Sequence, residues 1–403
     1  MRTRLFIGSA AALLTALAFL LGGAFGTDPA AQTRVDPDPA AYANAGFDAL
    51  QRARETSDAS EYTRAERAFH KALELDPNNL YALHGLGSLA LSQHRFHKAL
   101  ALGRRAQRLS PRTARSYGVI GDAQVELGRY PAAFRTYDRM AALKPSLASY
   151  ARVSHARELI GDVPGAIDAM RLAAEGGEQG EPVAWARLQL GKLEFGRGRL
   201  AAAEREYREA LSAFPGYAQA LDALARVEAA HGLLTRAIAL ERAAVERTPL
   251  AEHVGFLGDL YRANGQPEQA HEQYALVGAI QRLLVANGFK TDLETALFDV
   301  DHGFRLESAL ARARRAQRER PSIQADDVLS WALARSGRCG PARRYSERAL
   351  RLGTLDAPTY FHRGMIERCL GRNKEARRWF RRALALNPHF SLTWSPLARR
   401  LAS

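Results

Sequence analysis

Between Ala114 and Pro145 the apolar positions follow a helical period twice over. Tyr117, Ile120, Gly121 and Gln124 recur at three-and-four spacing, which places them on one face of a first helix. Gly121 removes a side chain from that face and lets a partner helix come close. Gly128 is predicted to close the helix, because glycine readily takes the left-handed conformation of a C-terminal cap. A second helix is predicted from Tyr130-Pro131, with Ala133, Tyr137 and Met140 as its buried stripe, and Pro145 lies just past its end. The unit is a helical hairpin with too little apolar surface to form a core alone.

The same hairpin returns along nearly the whole chain. Ala65, Ala99, Ala133, Ala166, Ala203, Ala237, Ala270, Ala309, Ala342 and Ala376 recur about every 34 residues. Gly128, Gly161, Gly198, Gly232, Gly265, Gly337 and Gly371 stand five positions before their alanines. Pro77, Pro111, Pro145, Pro215, Pro249, Pro321 and Pro388 stand twelve positions after. Alanine is abundant here, so the locked glycines and prolines carry the period. A repeat of this length predicts stacked hairpins, each covering its neighbour's apolar face.

These positions resemble the tetratricopeptide repeat. Val254, Leu257, Gly258, Tyr261, Ala270 and Tyr274 match its pattern, as do Tyr360, Gly364, Ala376, Phe380, Ala383 and Pro388. Ala203, Tyr207, Ala210 and Pro215 match its second half. The resemblance covers about residues 46–390. It implies an all-α, right-handed α-solenoid of about ten hairpins, with repeats 1–7 over 46–288 and repeats 8–10 over 289–403. The last segment, around Trp394 to Leu401, is expected to cap repeat 10. Two irregularities stand out: a loop insertion at Glu175–Glu181, and an extended second helix over Gln273–Ala286 that offsets the last three repeats.

The resemblance also implies where a partner would bind. First helices of such stacks line a concave groove, and the family's groove positions hold Tyr81, His84, Arg115, Asp122, His155 and Glu158. Further along they hold Trp185, Leu188, Lys192, Phe195, Asp222, Arg226, Asp259, Arg262, Asp327 and Trp331. Trp185, Leu188 and Phe195 form the most binding-like patch, since aromatics anchor interfaces. The lysine and asparagine clamp of chaperone-binding members is missing, because the corresponding positions hold His84, Gly118 and Ala151. The expected function is a non-enzymatic scaffold for a protein or peptide segment, with no cofactor. The alternative is an accessory subunit of an envelope enzyme or transporter.

Residues Leu5–Leu21 are almost wholly apolar behind Arg2 and Arg4, a pattern of export. Cleavage after Ala24 or Gly26 and retention as a membrane anchor are both open, and either places the repeats outside the cytoplasm. Residues 27–45, with Asp28-Pro29 and Asp36-Pro37-Asp38-Pro39, are expected to be an extended tether.

Cys339 and Cys369 fall at neighbouring ends of antiparallel helices in the last two repeats. A disulfide is expected in an oxidising compartment, two buried thiols otherwise. Net charge is +14. Arginines occur in every repeat, with dense runs on second helices, the outer side in this family; nucleic-acid binding is disfavoured by export. No phosphate-binding loop, nucleophile elbow or His-Glu-x-x-His motif is present. The run Asp299, Asp301, His302 is a weak metal candidate, against a plain structural role at an irregular junction.

Overall fold

The structure, a computed structural model, describes residues 38–403 apart from Ser57, Glu178 and Gln179. Among the described residues every regular element is an α-helix. The first five hairpins pair α1 (Pro39–Thr56) with α2 (Ala59–Leu75), α3 (Leu80–Ser92) with α4 (Phe96–Leu109), α5 (Ala114–Glu126) with α6 (Tyr130–Leu143), α7 (Leu147–Leu159) with α8 (Val163–Glu175), and α9 (Glu181–Gly196) with α10 (Leu200–Ala213). The second five pair α11 (Ala218–Ala230) with α12 (Leu234–Arg247), α13 (Ala251–Ala263) with α14 (Pro267–Ala286), α15 (Asp292–His302) with α16 (Leu306–Glu319), α17 (Ile323–Arg335) with α18 (Cys339–Ala349), and α19 (Ala357–Cys369) with α20 (Asn373–Leu386). A last helix, α21 (Trp394–Ala402), packs on α20 and closes the end.

Local chemistry sets the boundaries. At the end of α5, Gly128 has φ +68°, its N–H donates to Val125 O and that of Arg129 to Gln124 O. This is the Schellman arrangement that satisfies the last carbonyls of a helix. Within hairpins, glycine faces an aromatic ring: a Cβ on Gly121 would overlap Tyr137, and one on Gly364 would overlap Phe380. The repeat alanines Ala133, Ala203 and Ala309 are fully buried.

The inserted loop after α8 and the long α14, 20 residues, stand where the period widens. Residues 39–45 are helix, not extended tether, and 27–37 lie outside the described residues. Asp38 accepts from Ala40 N–H and Pro39 opens α1, a helix-start signal that takes residues 39–45 into the first hairpin. The apolar segment Leu5–Leu21 lies outside the described residues, and no described helix is long and apolar enough to cross a membrane. Cys339, opening α18, and Cys369, ending α19, form a disulfide with Cα atoms 5.8 Å apart. Among the described residues the buried clusters run from the first hairpin to the cap, and 38–403 form one compact unit.

The stack curls back on itself. Hydrogen bonds join turns 192 to 196 residues apart, so one superhelical turn takes between five and six repeats. Turns inside hairpins 2 to 5 meet turns that follow hairpins 7 to 10. Arg95 Nε donates to Gly288 O and Lys290 N–H to Gln93 O, while Tyr62 meets the Phe289 ring edge-on. Ile323 N–H donates to the Tyr130 hydroxyl at 2.7 Å, and Arg351 lies over the Tyr130 ring. Thr354 donates to Leu159 O, and Asn387 Nδ2 to Phe195 O. Ile323 and Leu352 add apolar cover to Tyr130 and Leu159.

Candidate functional site

Closure turns the concave groove into a lumen, and its wall is polar and largely self-satisfied. Several first helices reach the next through the positions that the repeat register points inward. His84 Nε2 pairs with the Ser116 hydroxyl at 2.8 Å, and Asp122 takes two bonds from Arg152 and one from Tyr137. Asp259 accepts from Tyr274 and pairs with His302 Nε2 at 2.9 Å. Asp301 accepts from Trp331 Nε1, and Asp327 pairs with His362. These bonds fasten neighbouring repeats.

Titration follows from these partners. Burial, with the nearby Arg115 charge, pushes the His84 imidazole down to about 4. Burial works against charge on His302 too, but Asp259 outweighs it and holds that imidazole above its ordinary value.

Glu241 departs most from the pattern. It stands where Tyr137, Tyr207 and Tyr274 stand in their hairpins, four residues after the repeat alanine. It is fully buried, and neither carboxyl oxygen has a hydrogen-bond partner. Burial, then the Asp222 charge, push it up to about 9. The folded state keeps the proton that the unfolded chain gives up near pH 4.5. Its contribution is therefore present at acid pH and is lost as pH rises from there towards 9. E241Q should leave the melting temperature nearly unchanged at pH 4.5 and raise it progressively up to pH 8. A parallel offset at every pH would contradict a buried neutral carboxyl.

The expected groove residues divide. His84, Leu188, Asp222, Asp327 and Trp331 are buried and belong to the wall, because a neighbouring repeat or the cap covers them. Tyr81 is 64% exposed, and Arg115 lies over the Phe47 ring. His155 and Glu158 pair with each other, and Arg262 reaches Thr393. Two cavities gather others. The larger, about 1160 Å³, takes in Trp185, Arg226 and Asp259. The smaller, about 270 Å³, takes in Glu158, Lys192, Phe195, Asp222 and Arg226. Arg226 lies between them, bound to Asp222 and stacked 4.1 Å from the Phe256 ring centre.

The larger cavity has further aromatic lining from Tyr62, Phe214, Phe256, Phe289 and Phe298. Sequence register misses Phe214 and Phe289 because they stand in turns between hairpins. The metal candidate does not assemble. Asp299 is bound by Arg305, Asp301 by Trp331 and Trp394, and His302 by Asp259 and Phe298 O. No cluster with metal-holding geometry occurs among the described residues.

Tetratricopeptide-repeat family models match residues 50–114, 188–252 and 357–390. This chain is built of tetratricopeptide repeats. It is similar to a tetratricopeptide repeat protein from Parabacteroides merdae, 17% identical over 61% of this chain and 98% of that one, with TM-score 0.43. It is similar to the human IFIT1 dimer with PPP-AAAA, 17% identical over 86% of this chain and 72% of that one, TM-score 0.41. YrrB, a tetratricopeptide repeat protein with an unusual peptide-binding site, is 20% identical over 45% of this chain and 93% of that one, TM-score 0.30. No curated protein sequence matches. The tetratricopeptide repeat is a scaffold for protein–protein interaction, so the lumen wall and its cavities are the surfaces on which function must be argued.

Proposed function

We propose that this tetratricopeptide-repeat chain is an exported scaffold, tethered to a membrane by its N-terminal apolar segment, that takes a protein or peptide segment into its lumen. The aromatic cavity carries the reading. Inward polar groups of the wall are spent on one another, whereas Trp185, Phe214 and Phe256 offer apolar surface beside Arg226 and Glu252, the mix of a recognition pocket. Export rests on Leu5–Leu21 behind Arg2 and Arg4.

A photo-crosslinking amino acid at Phe214 or Leu250, both partly exposed at the cavity, should trap one discrete protein in native membranes. The same probe at Leu172, exposed on the second helix α8, should not. Trp185→Asp should abolish the adducts from the cavity positions. Equal adducts from all three positions, or adducts that survive Trp185→Asp, would defeat the lumen as the binding surface.

A further inference from the structure

The charge of this protein is concentrated at one end. Residues 289–403 hold 23 of the 57 lysines and arginines but only 12 of the 43 acidic residues, so most of the net +14 lies there. The acids of this stretch are also turned inward: Asp299, Asp326, Asp327 and Glu367 are buried. Of the acids left outside on second helices, Glu307, Glu319 and Glu347 are each paired, with Arg338, Lys290 and Arg343.

Glu375 on α20 is exposed outside these pairs, and the rest of the charge that remains outside on these helices is cationic. Arg314 and Arg318 on α16, Arg344 on α18, and Lys374, Arg377 and Arg378 on α20 are exposed, with no acidic partner within salt-bridge distance among the described residues. On α20 these positions oppose the buried stripe Ala376, Phe380 and Ala383, so the cations form the outward face. The outer faces of α6 to α12 carry several acids beside their arginines, such as Asp138, Asp168 and Glu204, whereas α20 carries Glu375 alone.

The second helix that precedes this set in the chain, α14, exposes apolar side chains on more than one side. It is longer than the others, and Leu276, Leu283 and Val285 are 41%, 57% and 54% exposed. Apolar side chains gain nothing from a nucleic-acid backbone, whereas exposed leucines on a basic protein suit the boundary between headgroups and acyl chains.

We propose that the outer face of α16, α18 and α20 binds an anionic lipid bilayer surface. The cations attract headgroup phosphates, and the contact leaves the lumen open, so it is independent of what the lumen holds.

Residues 38–403, which form one compact unit with its own core clusters and the cap, serve for the test because they lack the apolar N-terminal segment. They should sediment with vesicles of phosphatidylcholine mixed with phosphatidylglycerol, not with phosphatidylcholine alone, and added salt should release them. A basic residue near an anionic surface contributes about a five-fold change in partitioning, so R377Q/R378Q should weaken binding by roughly twenty-five-fold. R135Q/R139Q, on the exposed face of α6, should bind like the parent. Equal binding to neutral vesicles, retention of binding by R377Q/R378Q, or tighter capture by duplex DNA than by the vesicles would overturn the assignment.

Discussion

Replacing Trp331 with alanine should cost about 3–5 kcal/mol, the usual range for deleting a large buried aromatic. Trp331 is 1% exposed. Its ring stacks on His362 at 4.6 Å between centroids and meets Phe361 and Trp394 edge-on. Its Nε1 donates to Asp301 at 2.8 Å. Alanine would leave a cavity among α15, α17, α19 and α21 and strip Asp301 of its shorter hydrogen bond. The second loss is separable: Trp331→Phe keeps most of the packing and should cost about 1–3 kcal/mol for the donor removed from a half-buried carboxylate.

In a repeat stack each unit contacts mainly its neighbours, so damage should spread locally. Amide exchange should therefore accelerate most in α15 to α21, next at the turns of hairpins 3 to 5 that they touch, and leave α1 and α2 protected. Uniform acceleration would mean that the whole coil unfolds as one unit, and slow exchange at the C-terminal repeats would mean that the tryptophan is dispensable.

The same residue shows where sequence reading stops. Trp331 shares its register with Asp122, Arg226 and Asp259, eleven residues before the repeat alanine, and the register correctly points it inward. Whether an inward position is wall or surface depends on what covers it. Here Trp394 of the cap and Phe361 of the next repeat do so. Hairpin ends, the loop after α8, the long α14 and the meeting of Cys339 with Cys369 were all legible, because local chemistry and antiparallel neighbours determine them.

Asp299, Asp301 and His302 were misleading as a set because successive residues on a helix point about 100° apart. Two acids two positions apart face different neighbours. Closure was illegible for another reason. A superhelical turn sums small rotations over several junctions, and a period of about 34 residues encodes none of them individually. The aromatic cavity inherits that blindness in part, since Phe289 enters it from a turn that meets Tyr62 of the first hairpin across the seam.

If contacts between successive coils hold the lumen shut, glycines of equal backbone conformation should differ in their response to a methyl group. Gly128, Gly161, Gly232 and Gly265 all have φ between +68° and +80° and end first helices in the same way. Alanine at any of them pays about 1 kcal/mol for the left-handed backbone. Their surroundings differ. A Cβ on Gly128 would collide with the carbonyl oxygen of Pro321, and one on Gly161 would stand 2.6 Å from that of Gly353, whereas one at Gly232 or Gly265 meets nothing within 4 Å. Those carbonyls belong to backbone and cannot swing aside, so the wedge must part the coils. G128A and G161A should lose more stability than G232A and G265A, and G128A/G161A should show a larger maximum dimension by small-angle scattering. The Tyr130 hydroxyl and Arg320 supply an independent check at the same seam, the first accepting from Ile323 N–H and the second reaching Glu126 at 3.5 Å. Y130F/R320Q should enlarge the particle without any left-handed residue being changed. Four glycine variants of equal stability and unchanged dimensions would show that the coils touch without holding each other.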